Sequence, residues 1–211
     1  MSHAFLSKLM YKKIPQLLSY LFHPLLMPTL GVLIILNSGT YISLMPSEAK
    51  NIILLVVLSC TFVLPAAFIP LYFYGKLISS ADVGQGQQRP IPLAITSSLF
   101  YLSFYLLRKM GVPDIIQNFI FASAIAVIIN LLINIKWKIS AHMIGIGGVI
   151  GLIVCLSFLQ DANVILYLLI SIMISGFVGF ARLSLNAHTP GQVYIGLLTG
   201  FSVTVLTMCL L

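Results

Sequence analysis

The chain has 211 residues, 60% of them apolar and only 7% charged, where a soluble globular domain carries roughly 25% charged side chains. Eleven Lys/Arg and four acids cannot cover a water-exposed globule of this size, so lipid is the solvent for most of the chain. The formal charge of +7, with no basic domain outside the apolar runs, points to anionic lipid headgroups as counter-charge and argues against a nucleic-acid partner.

Lys8, Lys12 and Lys13 precede the first apolar run and make residues 1–15 a candidate interfacial segment. A helix needs about 20 apolar residues to cross the hydrocarbon core. Seven runs qualify, at about 16–38, 52–75, 91–107, 115–135, 142–160, 163–180 and 191–211. The first holds His23, Pro24 and Pro28, the ingredients of a kink or of a segment that dips back rather than crosses. In that setting His23 reads as a packing or hydrogen-bonding residue. The third run is short for a full crossing. Gly145, Gly147, Gly148 and Gly151 lie inside the fifth run and predict close helix packing, not a phosphate loop. Cys60, Cys155 and Cys209 sit in apolar surroundings at unrelated spacings and read as small hydrophobes. The first run has no clean small-residue cleavage site and more runs follow it, so it does not read as a secretory signal. With short connections and no repeat, the expected architecture is one all-α transmembrane domain over 1–211, a bundle of six to seven helices.

Polar residues cluster in three connections: Ser79 to Pro90, Lys136 to His142, and Ala181 to Gln192. Two runs separate Arg89 from His142, and two more separate His142 from His188. An even number of crossings returns a chain to the same face, so all three clusters are expected on one side of the membrane. The remaining connections lack histidine. The four acids, Glu48, Asp82, Asp114 and Asp161, are isolated, and no two share a helix face. Magnesium bridging a diphosphate needs clustered oxygen ligands, so the chemistry is expected to run without a metal or other cofactor.

Basic clusters with two histidines at a membrane surface suit phosphate binding and transfer. Arg offers a fork matched to phosphoryl oxygens, Lys a point charge, and His a nucleophile or acid near neutral pH. Ser140 stands where it can cap the fifth helix, whose free N–H groups would then face an anion. Thr189-Pro190-Gly191-Gln192 fits a capping box for the seventh. Lys136 and Lys138 flank Trp137 as an interfacial anchor does.

The three clusters, in this order, resemble the motifs of the type 2 phosphatidic acid phosphatase (PAP2) superfamily of membrane phosphatases. Arg89-Pro90 resembles the end of the first motif, Ser140-Ala141-His142 the second, and Arg182 followed after five residues by His188 the third. The resemblance covers roughly 52–211. It implies that His188 is a nucleophile forming a phosphohistidine and His142 the general acid, while Arg89, Lys138, Ser140 and Arg182 bind the phosphate. It also implies a lipid phosphate or diphosphate as substrate (undecaprenyl diphosphate, phosphatidylglycerol phosphate, phosphatidate and lipid A phosphates among them), and a site on the periplasmic face of a bacterial inner membrane. The sequence departs from the family at Asp82, where the first motif has Lys, and at Ala141 and Ala181, where the other motifs have Gly and Ser. Gln192 stands where the family has the Asp that orients the nucleophilic histidine. A glutamine oxygen can fix the tautomer of His188 but cannot balance an imidazolium.

Two expectations therefore stand side by side: a metal-independent lipid phosphatase, or a degenerate relative that binds or moves lipid phosphates without hydrolysis. An unrelated small transporter would want polar groups near mid-membrane, and apart from His23 and Asn130 the runs offer few. Charge points the other way on orientation. Eight of the eleven Lys/Arg flank the cluster side against Lys50, Arg108 and Lys109 opposite, and the positive-inside rule would turn that side to the cytoplasm.

Overall fold

A computed structural model describes residues 13–68 and 90–211. All regular structure among them is helical, and seven segments are long and apolar enough to cross a bilayer. The protein is an all-α, polytopic integral membrane protein. The helices are α1 (residues 13–21), α2 (Met27–Leu36), α3 (Ser47–Leu58, continuing to residue 68), α4 (Pro90–Lys109), α5 (Asp114–Asn134), α6 (Ala141–Gln160), α7 (Ile165–Ser184) and α8 (Pro190–Leu210).

The first span is broken but continuous: α1 and α2 together form the segment Lys13–Leu36. Its helix already runs at Lys13; residues 1–12, most of the candidate interfacial segment 1–15, lie outside the described residues. The break follows from Pro24. The residue before a proline is pushed out of the helical region, and His23 is extended, with φ −63° and ψ 135°. A short 3₁₀ turn, Pro24–Leu26, then restarts the chain. The second span begins at Ser47, earlier than the apolar run, because Glu48 in its first turn is stabilised by the helix dipole. It loosens into a π-turn at Ser59–Val63. The third span reaches Lys109 and so has the length that its apolar run alone lacks.

α6 is the axis of the bundle. Leu152, Ile153 and Leu156 on it pack with Ile116, Phe119 and Ile120 of α5, and with Val32, Ile35 and Leu36 of α2, in one apolar core. α7 packs chiefly on α6 and turns Leu166, Leu169, Phe177 and Phe180 outward to lipid.

The most extensive helix pair is α6 with α8. Lipid tails are as apolar as leucine, so helices in a bilayer associate through close packing of small residues rather than by hydrophobic exclusion. Here the backbones touch. A Cβ at Gly200 would collide with the Ile144 carbonyl oxygen, and one at Gly196 would lie 2.8 Å from that of Ser140. This contact aligns the two helix starts, and the Ser140 N–H donates to the Gln192 carbonyl at 3.2 Å. The helices run parallel, with α7 as the return pass between them. Glu48 and Asp114 start helices, and Asp161 ends one, at the opposite face.

Gly200→Val should therefore force the two backbones apart and cost about 1–3 kcal/mol. Reversible unfolding in detergent checks it, and a Gly176→Val control, at a position facing open space, should be nearly neutral.

Candidate functional site

The site is built where α6 and α8 begin. α7 ends in a tight turn: the Ala187 N–H donates to the Arg182 carbonyl at 3.1 Å, and Asn186 takes up the left-handed conformation, φ 51°, that asparagine tolerates. The turn folds His188 back beside Arg182, which stands on the last turn of α7. Thr189 then caps α8, with Pro190 in its first turn.

Gln192 does two things at once. The Thr189 N–H donates to Gln192 Oε1 at 3.1 Å, the backbone half of a capping box, and His188 Nδ1 lies 3.2 Å from the same oxygen. The Thr189 contact fixes which end of the amide faces the ring. An amide oxygen only accepts, so the proton of neutral His188 is on Nδ1, and Nε2 carries the lone pair. The two roles considered for Gln192 are one arrangement.

His142 stands in the first turn of α6. Its Nε2–H donates to the Ser19 carbonyl at 3.1 Å, and Arg182 Nη1 donates to the Ser19 hydroxyl at 3.2 Å. Ser19 thus ties the second and third sequence clusters together from a helix that belongs to neither. The charge of Arg182 is felt at both His142 and His188. Lys138 is exposed at the rim and acts on His188 through its charge. Lys136 and Trp137 are exposed beside it.

Ser140 differs from expectation. It is the N-cap residue of α6 by position, but its hydroxyl makes no capping bond. The side chain is fully buried, and among the described residues its Oγ has no partner. The Met143 N–H, which a side-chain cap would serve, donates to the Ser140 carbonyl at 3.1 Å instead. Arg89, with Asp82 and Lys76, lies outside the described residues; α4 starts at the adjacent Pro90. Leu93, one turn further on, lines an apolar cavity of about 100 Å³ together with Pro24, Ala141 and Asn130, which puts the start of α4 at the same face.

Ser19 is a residue of this cluster that sequence reasoning missed, whereas His23 both packs and hydrogen-bonds, as its setting predicted. The His23 ring packs edge-on against His142, centroids 5.9 Å apart and planes at 74°. The His23-Pro24 break was visible as a signal; nothing marked Ser19.

No described acid shares this face. Burial lowers the pKa of His188 from 6.5 to about 4, aided by the positive charges of Arg182 and Lys138; hydrogen bonding to Gln192 and to the Lys138 backbone offsets only part of this. His188 is a neutral imidazole at pH 7. No family model matches the chain, and no curated protein or solved structure matches it.

Unfolded, His188 takes its proton near 6.5; folded, only near 4. The unfolded state therefore binds more protons in that window, and stability falls as pH drops through it. An NMR titration of ¹⁵N-histidine-labelled protein should show His188 neutral, with Nδ1 protonated, down to about pH 4. Gln192→Glu keeps the reach of the side chain and adds a charge beside the ring. It should move that titration up toward the ordinary histidine range.

Proposed function

We propose that the protein is a metal-independent phosphatase of a membrane lipid phosphate or diphosphate, working through a phosphohistidine on His188. The observation that carries this reading is the geometry of His188. Its Nδ1–H is held by Gln192 Oε1, which makes Nε2 the nitrogen proposed as nucleophile, and the charge of Arg182 acts on both His188 and His142. The order of the motifs and their resemblance to PAP2 phosphatases support the same reading.

In the first half-reaction His188 Nε2 attacks phosphorus, an N–P bond forms, and the bond from phosphorus to the leaving oxygen breaks. His142, once it has drawn a proton from solvent, gives that proton to the leaving oxygen. Its Nε2–H is committed to Ser19, so Nδ1 is the nitrogen that exchanges. In the second half-reaction water attacks the phosphohistidine, His142 takes the water proton back, and inorganic phosphate leaves with His188 restored. Arg182 and the buried Ser140 hydroxyl stabilise the charge on the phosphoryl oxygens. The apolar cavity bordered by Ala141, Leu93 and Pro24 offers room for hydrocarbon directly below the headgroup level.

One observation favours the binding-only alternative. Gln192 cannot neutralise the charge that His188 acquires on phosphorylation. In a serine protease, the comparable Asp-to-Asn change beside the histidine lowers turnover about 10⁴-fold. The same substitution logic gives the test. Purified protein in EDTA should release phosphate from a lipid phosphate, slowly, and Gln192→Glu should accelerate release about tenfold or more. His188→Ala should abolish it, and His142→Ala should lower it about 10²–10⁴-fold. Phosphate release that survives in His188→Ala would eliminate the nucleophile.

The site is proposed to face the periplasm of a bacterial inner membrane. Among the described residues the flanking cations are nearly balanced, with Lys13, Lys136, Lys138 and Arg182 on the site face against Lys50, Arg108 and Lys109. Two of the first four belong to the site itself. Lys138→Cys in a Cys209→Ser background should react with a membrane-impermeant maleimide in intact bacteria, since Cys60 and Cys155 are buried; labelling only after lysis places the site inside.

A further inference from the structure

We propose that the broken first span is a working part of the site, with Ser19 and His23 as positioning residues that hold Arg182 and His142 for the phosphoryl group. This rests on the phosphatase reading for its kinetic consequence but not for its binding consequence.

The argument starts at Pro24. By pushing His23 out of the helix, it ends α1 and leaves carbonyls of its last turn without an i+4 donor. The Leu18 carbonyl still receives the Phe22 N–H. The next carbonyl, of Ser19, accepts from His142 Nε2 instead. The Ser19 hydroxyl donates to the Pro15 carbonyl at 2.9 Å and accepts from Arg182 Nη1. Both of its lone-pair and proton functions are thereby directed, and the guanidinium is tied to a fixed point on α1. A histidine whose N–H is held by a fixed oxygen has a defined tautomer and ring orientation. Ser19 does for His142 what Gln192 does for His188.

His23 is held as firmly. The Leu25 N–H donates to its Nδ1 at 3.3 Å, so its neutral form carries the proton on Nε2. The ring is clamped between Phe62, 6.4 Å away at 77°, and His142. Phe62 comes from the π-turn of α3, an irregularity of the kind common at functional sites. A residue present only to cap the 3₁₀ turn needs an acceptor for Leu25 and no imidazole face against a second histidine.

That difference gives the experiment. His23→Asn keeps a capping acceptor and removes the ring. Thermal stability should stay close to wild type, while kcat on a lipid phosphate falls about tenfold with KM nearly unchanged. Ser19→Ala removes the hydroxyl but keeps the carbonyl. Binding of inorganic phosphate, read from its thermal stabilisation of the detergent-solubilised protein, should weaken about tenfold. Ser19→Thr should restore it. Wild-type kcat in His23→Asn would reduce His23 to a cap and overturn its role. Unchanged phosphate binding in Ser19→Ala would overturn that of Ser19, and tighter binding would do so too, by making Ser19 an internal occupant of the phosphate seat. Wild-type protein that binds phosphate without hydrolysing any lipid phosphate would sink the enzyme reading alone, since the Ser19 comparison still decides this one.

Discussion

The backbone contact between α6 and α8 is the constraint on which the rest depends. In lipid, two helices gain little by hiding apolar surface from each other, so a stable pair needs its backbones close. Glycines at the crossing allow that approach, and the hydrogen bond from the Ser140 N–H to the Gln192 carbonyl shows how far it goes. The contact brings two helix N-termini side by side at one membrane face. Each contributes a positive dipole end, and each carries a histidine in or just before its first turn. α7 must then span the bilayer as a return pass, which puts Arg182 at the same level. The clustering of these side chains is a consequence of register, and register is a consequence of missing side chains.

The electrostatics of the site follow from which groups share its face. The described acids, Glu48, Asp114 and Asp161, stand at the other end of the helices. Positive charge from Arg182 and Lys138 is therefore not balanced by a described carboxylate beside His188, and burial acts in the same direction. The imidazole stays neutral, the state the proposed nucleophilic role requires. The same setting resists any positive charge on the ring, because Gln192 supplies an oxygen without a charge. Gln192 orients the ring without compensating a charge on it.

Ser19 shows how a defect in one element serves another. A proline break near the start of a span would leave an unsatisfied carbonyl in a setting with little water, which is expensive. Here that carbonyl meets the N–H of a histidine 123 residues away. The helix end is satisfied and the histidine is oriented by one hydrogen bond. The extended His23 and the π-turn that carries Phe62 are further departures from ideal helix; Phe62 packs on His23, and His23 on His142.

Much of this was legible in the sequence. Span positions follow from apolar run length, because bilayer thickness fixes how many residues a crossing takes; the run 115–135 against Asp114–Asn134 is typical. The parity of crossings placed His142 and His188 on one face, and the Thr189 to Gln192 pattern announced its capping box. Ends were less legible where charged residues extend a helix past its apolar run, as at Ser47 and Lys109. Ser140 was misread as a side-chain cap because the residue type does not say that its backbone carbonyl, not its hydroxyl, will take the Met143 N–H. Ser19 looked like nothing, because its role depends on partners more than a hundred residues distant. Composition and periodicity are local or summed quantities, so the sequence by itself determined the solvent, the number of passes and the residue chemistry at one face. Which nitrogen of each histidine is held, and by which oxygen, was decided only by tertiary structure, since it depends on ångström-scale approach between helices that the chain does not connect directly.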